Sequence, residues 1–184
     1  MAGWVLTVAL TALHAAFRRA FPNSVAAQDG TIGDLAHQAE VSGHNPDDTP
    51  GVRAEYSDAD SKAEVRALDK DARLNGPVGM QVVIDRILAT PTDRDRLAYI
   101  VFNGWIWRKR NGWRREVYGG SDKHLLHAHF SGDPASDEDG APWSSVLSFT
   151  SLSGGTVPAP YGYSQEAFGD APAARIAAFS RGLA

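Results

Sequence analysis

Cysteine is absent from this chain of 184 residues, and its absence removes several kinds of chemistry at once. Disulfide bonds, zinc–thiolate sites and thiol nucleophiles all require cysteine. Any metal site must therefore use histidine, aspartate and glutamate, a ligand set that suits a hard or borderline ion such as zinc. The lack of cysteine does not indicate the cellular compartment, because a protein without cysteine tolerates either redox state.

The chain also lacks a basic charge excess and a long apolar run. Its formal net charge is −4, so no overall positive field attracts nucleic acid. The apolar run that ends at Phe17 is too short to span a membrane. Arg18 and Arg19 follow this run, whereas the positive charges of a signal peptide precede it. We therefore expect no membrane insertion and a protein made without its own export signal.

An apolar content of 43% is enough for the core of one domain. Leucine and phenylalanine at helical spacing predict a helix from Leu6 to Phe21, which Pro22 ends. A second helix is predicted within residues 76–90, before Pro91. The stretch "EVRALDKD" alternates like a short strand and places Val65, Ala67 and Asp69 on one face.

Two Asn-Gly pairs, Asn103-Gly104 and Asn111-Gly112, separate runs of aromatic and β-branched residues. Asn-Gly is the strongest short hairpin signal, so we expect a meander of strands at 98–103, 105–110 and 113–118. The fold class that follows is α+β, a small antiparallel sheet with helices packed on one side. Residues 1–131 would form the domain, and 132–184 a linker and C-terminal extension that packs on it or stays apart.

Three of the six histidines lie in "SDKHLLHAHF", as His124, His127 and His129. On a strand, His127 and His129 share a face, which is typical of a metal or proton-transfer site but also of a polar edge strand. Two upstream side chains are candidate partners. His44 lies in the polar loop "SGHNPDD", and Asp69 ends the apolar face of "VRALD", where an unpaired carboxylate is costly. His44, Asp69 and one histidine of the pair would make a His₂Asp zinc site, with the other as base or transition-state donor.

The sequence resembles the zinc peptidoglycan peptidases of the D-Ala-D-Ala metallopeptidase and L-alanyl-D-glutamate endopeptidase group, which also includes hedgehog-like domains. The resemblance lies in four segments, "DGTIGD", "SGHNPDD", "VRALD" and "YGGSDKHLLHAHFS". The likeness is to the version encoded by phages and prophages of actinobacteria, and it covers about Leu6 to Ser131. It implies a zinc cleft on the sheet face away from the helices and zinc-dependent hydrolysis of the peptidoglycan stem peptide. The protein would be an endolysin or a virion-associated lysin, made in the host cytoplasm and acting at the cell wall, with other phage tail proteins as possible partners.

The resemblance also implies roles for particular residues. The metal ligands would be His44, Asp69 and His129, with His127 as the catalytic base or transition-state donor and His124 as a further active-site histidine. The residues expected to contact the substrate are Ser42, Arg53 and His37.

The sequence departs from the family pattern in two places. Some relatives carry a glutamate three residues before the last ligand, and this sequence has Leu126 at that position. The role of catalytic base therefore passes to His127 by default. The insertion after His44 leaves Asp58, Asp60 and Asp71 as competitors of Asp69.

Two further alternatives stay open. The hairpin "WIWRKRNGWRR" interleaves tryptophan and arginine, which suits binding to nucleic acid or to an anionic wall polymer, but also a sheet with one packed face. The chain as a whole could instead be a non-catalytic phage structural or cell-wall-binding protein that keeps the metallopeptidase fold.

Overall fold

The computed structural model describes residues 3–33 and 38–150. In chain order its elements are β1 (Val5–Leu6), α1 (Val8–Ala20), β2 (Val41–Ser42), β3 (Arg53–Ala54), β4 (Glu64–Val65), β5 (Ala67–Asp71), α2 (Met80–Leu88), α3 (Pro91–Arg94), β6 (Leu97–Phe102), β7 (Trp105–Arg108), β8 (Arg115–Val117), β9 (His127–Gly132) and α4 (Ser144–Leu147). The architecture is α+β, as predicted, with a five-stranded antiparallel sheet in the order β5-β9-β6-β7-β8.

The two predicted helices are confirmed, with slightly shorter bounds. In α1 the buried stripe includes Leu10, Leu13 and Phe17, and the helix stops at Ala20, before Pro22. In α2 the buried residues follow the same periodicity. Across the described ranges, no helix combines the length and the apolar character that crossing a membrane requires.

The helices cover one face of the sheet. Leu68, Ile100 and Phe130 belong to the same buried cluster as the apolar stripes of α1 and α2. The rings of Phe17 and Phe130 lie 5.6 Å apart, so α1 packs directly on β9, an interior strand of the sheet. Because side chains alternate along a strand, the neighbours of Leu68 and Phe130 point to the opposite face, away from the helices.

The first predicted Asn-Gly turn is confirmed and the second is not. Asn103 and Gly104 have φ values of 50° and 79°, the left-handed pair that a two-residue hairpin turn requires. At the second site a 3₁₀ turn at Lys109–Asn111 intervenes. Positive φ then falls on Gly112 and Trp113 instead of Asn111. The Trp113 indole donates to Asp95 Oδ1 at 3.1 Å, a long-range contact that the local sequence does not contain.

A buried arginine ties the loop after β2 to the sheet. Arg66 is 2% exposed. Its guanidinium forms ion pairs with Asp47, Glu64, Asp137 and Asp58. Burial, reinforced by the negative charges of neighbouring acids, raises the pKa of Glu64 to about 7 and that of Asp137 to about 6, against the opposing effect of Arg66. This network fixes the loop that carries His44.

Residues 132–150, the described part of the expected C-terminal extension, pack on the same core. Trp143 is fully buried, and its indole donates to the Ala9 carbonyl at 3.0 Å. The guanidinium of Arg96 lies 3.9 Å from the centre of the Trp143 ring. The packed body therefore extends past Ser131 to at least Phe149, which is 4% exposed.

We predict that Trp143→Ala lowers the free energy of unfolding by about 3–5 kcal/mol, since it empties a fully buried site. Trp4 is 40% exposed, and Trp4→Ala is the matched control, expected to cost less than about 1 kcal/mol. Urea unfolding followed by circular dichroism measures both. Equal costs in the two variants would mean that residues 132–150 are not integral to the domain.

Candidate metal centre

The pairing of β5 with β9 brings Asp69 and His129 together. The two strands are antiparallel, and their register sets Asp69 opposite His129 and Asp71 opposite His127. All four side chains lie on the sheet face away from the helices. Asp69 Oδ1 and His129 Nδ1 are 2.9 Å apart.

His44 reaches the same point from the loop after β2. Its backbone N–H donates to Ser42 Oγ at 3.2 Å, and its carbonyl accepts from the Gly33 N–H at 2.9 Å. The His44 Nε2 atom lies 3.2 Å from Asp69 Oδ2 and 3.2 Å from His129 Nδ1. Gly30 exchanges backbone hydrogen bonds with Asp69, so the loop that precedes His44 is anchored on the edge of β5.

The hydrogen bond on the far side of the His44 ring decides its tautomer. Nδ1 lies 2.7 Å from the Thr31 carbonyl, an acceptor, so Nδ1 carries a proton. In the neutral ring, Nε2 then presents a lone pair toward a carboxylate and a second imidazole. Acceptors converging in this way require a cation between them, either a proton or a metal ion. A ring nitrogen held by a carbonyl is the usual second-shell arrangement of a metal-bound histidine.

The spacing of the candidate ligand atoms of these three residues fits a metal. Metal–nitrogen and metal–oxygen bonds of about 2.0–2.1 Å in a tetrahedral zinc site separate neighbouring ligand atoms by about 3.3 Å. His129 Nδ1 lies 2.9 Å from Asp69 Oδ1, His44 Nε2 lies 3.2 Å from Asp69 Oδ2, and the two ring nitrogens are 3.2 Å apart. His44 and His129 are buried, at 6% and 7% exposure. The His44–Asp69–His129 group can therefore hold a metal ion.

The electrostatics of the group follow from these contacts. Burial opposes the charge of Asp69, but its contacts with His129 and His44 outweigh this effect and hold the pKa of the carboxyl far below its usual range. Burial also lowers the pKa of His44, and Asp69 reverses this effect, so that the net shift is upward. Asp69 is thus a carboxylate at neutral pH, as a metal ligand must be.

His127 and His124 border the group on the side of the cleft. His127 Nε2 lies 3.7 Å from Asp69 Oδ2. His124 precedes the strand on a turn with φ of 52°, held by a hydrogen bond from its N–H to Asp122 Oδ1 at 2.8 Å. The rings of His124 and His127 are 4.8 Å apart. Asp122, His124 and His127 form a second, more exposed set of potential ligands.

The competitors of Asp69 have other partners. Asp71 binds the Arg73 guanidinium and the Gln28 N–H. Asp58 pairs with Arg66 at 3.0 Å. Asp60 pairs with Lys62 at 2.7 Å. Asp69 is the aspartate that the fold delivers to His44 and His129.

A cleft of about 960 Å³ is lined by His44, Asp69, His124, His127 and His129. Ser42 lines it and also supports His44. Arg53 is exposed and is not among the lining residues; its backbone carbonyl accepts from the side chain of Asn45. His37, the third expected substrate contact, lies outside the described residues.

Glu55 and Tyr99 are cleft residues that sequence reasoning missed. The Tyr99 hydroxyl donates to Glu55 Oε2 at 2.7 Å, and the Tyr99 ring stacks on His129 with centroids 5.5 Å apart. Tyr99 shares a face with Val101, which pairs with His129 across β6 and β9. The inward face of the predicted strand at 98–103 is the signal that could have found Tyr99. Glu55 has no such signal, because its loop shows no periodicity.

No protein-family model, curated protein or solved structure matches this chain.

We predict that the protein binds one zinc ion tightly and that Asp69→Asn weakens this binding by more than about 100-fold. Loss of a ligand should exceed the 10–100-fold effect that is typical of second-shell changes. Because the histidine ligands must be unprotonated, the affinity should fall as the pH is lowered from 8 to 6. Competition with a chromophoric chelator measures both effects.

Asp122→Asn is the control, since it changes the exposed ligand set and leaves the buried group intact. If Asp122→Asn abolished zinc binding and Asp69→Asn did not, the metal would bind to the exposed set.

Proposed function

We propose that this chain is a zinc-dependent peptidase that hydrolyses a peptide bond in the stem peptide of peptidoglycan. The observation that carries the proposal is the convergence of His44, Asp69 and His129 at the floor of a cleft, with His127 and His124 beside them. This set matches, residue by residue, the roles implied by the resemblance to the D-Ala-D-Ala metallopeptidase group.

The three-ligand set is typical of a catalytic zinc site, which keeps a position open for water or substrate. A zinc ion bound there would polarise a carbonyl group and lower the pKa of water toward about 7. The cleft gives a peptide access to this position. Tyr99, stacked on His129, holds the ligand ring in its orientation.

His127 is the proposed proton-transfer residue. Its side chain is 16% exposed, so it faces the cleft while remaining close to Asp69. A histidine in this place can accept a proton from water and return it to the leaving amine. His124 packs against His127 and is flanked by Tyr118, whose ring lies edge-on at 5.3 Å. Burial, followed by the charge of His129, lowers the pKa of His124, which favours a neutral ring that orients His127.

The source and location are proposed on the resemblance alone. The proposed source is a phage or prophage, and the proposed location is the bacterial cell wall, where the protein would act as an endolysin or virion-associated lysin. The metallopeptidase fold family is likewise proposed on the resemblance. In the basic hairpin, Arg108 pairs with Glu116 and Lys109 pairs with Asp133, so two of its five cations are neutralised within the protein.

We predict that the zinc-loaded protein releases stem-peptide fragments from purified peptidoglycan, identified by mass spectrometry, and that the metal-free protein does not. His127→Ala should lower the rate by about 10²–10⁴-fold, the usual contribution of general acid–base catalysis. His14→Ala is the matched control. His14 lies on α1, on the far side of the sheet, and this variant should keep full activity.

Fragments from His127→Ala at the wild-type rate would reject the proton-transfer role and keep the peptidase. No fragments from the zinc-bound wild type, on walls of several chemotypes, would reject the peptidase and favour a non-catalytic wall-binding protein.

A further inference from the structure

Glu55 is a carboxylate in the cleft that forms no ion pair with a described residue. It lines the same cleft as the His44–Asp69–His129 group. Two other acids of the cleft lining have partners: Asp133 pairs with Lys109 at 2.5 Å, and Asp122 caps the His124 N–H. Glu40 also lines the cleft, and Glu55 differs from it in accepting a hydrogen bond from Tyr99. Asp69 belongs to the metal centre. Glu55 therefore carries a negative charge into the cleft that the described protein does not neutralise.

Three tyrosines accompany this carboxylate. Tyr99 donates its hydroxyl to Glu55 Oε2, and Tyr56 and Tyr118 line the same cleft. Burial raises the pKa of all three phenols, and the charge of Glu55 raises each of them further. The carboxylate is thus electrostatically close to tyrosines on three different parts of the chain.

The fold sets this cluster next to the metal centre. The parallel pairing of β2 with β3 leads into a hydrogen bond from the Glu55 N–H to the Ser42 carbonyl at 3.1 Å. A Cβ atom placed on Gly43 would lie 3.5 Å from Glu55 Oε2. Glu55 thus lies against the residue that directly precedes His44, and a group bound at Glu55 would be a neighbour of the metal ion.

We propose that Glu55, Tyr56, Tyr99 and Tyr118 form a subsite for a protonated amine of the substrate. An ammonium group offers three donors and no acceptor, so a carboxylate is its natural partner. Tyrosine faces attract cations through their quadrupole. The inference rests on the proposed function, and it narrows the substrate to peptides that carry a free amine near the scissile bond.

The basic side chains of the cleft limit where the amine can lie. Arg108 and Lys109 are neutralised by Glu116 and Asp133. Arg110 also lines the cleft, and its charge opposes that of Glu55 on the Tyr56 phenol. The charge of Arg110 repels a second cation, so the substrate amine is directed to Glu55. Arg110 is then available for an anionic group elsewhere on the substrate.

The test uses two stem peptides that differ only in one side-chain amine, free in one and acetylated in the other. Zinc-loaded wild type and Glu55→Gln are compared by calorimetric Kd and by kcat/KM. We expect the wild type to prefer the free amine by about tenfold or more, and Glu55→Gln to lose this preference with zinc affinity unchanged. Glu40→Gln is the control, because it removes the same charge from the cleft lining and should keep the preference.

The outcomes separate this inference from the proposed function. Preferential binding without cleavage would keep the subsite and reject the peptidase, whereas cleavage without preference would reject the subsite alone. A loss of kcat in Glu55→Gln that is equal for both peptides would also overturn the subsite. If Glu55→Gln does not fold, Glu55→Asp shortens the same side chain by one methylene and should reduce the preference.

Discussion

The contact between the Asp69 carboxylate and two imidazoles is the interaction on which the site depends. It is fixed by the register that sets Asp69 opposite His129. A slip of one residue in either strand would turn its ligand toward the helices and expose Leu68 or Phe130. The hydrophobic core and the metal centre therefore specify the same pairing, each through one face of the strands.

The remaining ligand depends on irregular backbone. His44 comes from a loop that is held by the Thr31 carbonyl and by Ser42. The buried guanidinium of Arg66 joins this loop to β5 through Asp47. The paired strands β5 and β9 and the anchored loop thus bring the three ligand side chains together. The cleft lies between these ligands and the hairpin of β7 and β8.

Periodicity in the sequence predicted the parts of the fold that follow local rules. The stripe of α1 and the alternation in "VRALD" both appear in the structure, as does the hairpin at Asn103-Gly104. The grouping of His44 with Asp69 and His129 was also predictable, because an aspartate on an apolar strand face needs a partner. Here the partner is a pair of histidines.

Long-range contacts account for the parts that sequence reasoning missed. The second turn shifts because Trp113 binds Asp95, a residue 18 positions away. Residues 132–150 pack on the core through Trp143, which neighbouring residues do not reveal. Glu55 enters the cleft through the pairing of β2 with β3, and two-residue strands have no periodic signal. In each case the decisive partner is distant in sequence.

The most direct test of the account is the anomalous diffraction of zinc in crystals of the zinc-loaded protein. We predict one strong buried peak at about 2.0–2.2 Å from His44 Nε2, from an Asp69 carboxylate oxygen and from His129 Nδ1. A peak bound by Asp122, His124 and His127 without Asp69 would contradict the assignment of the centre. The same conclusion would follow if zinc were bound in solution and no peak lay among His44, Asp69 and His129.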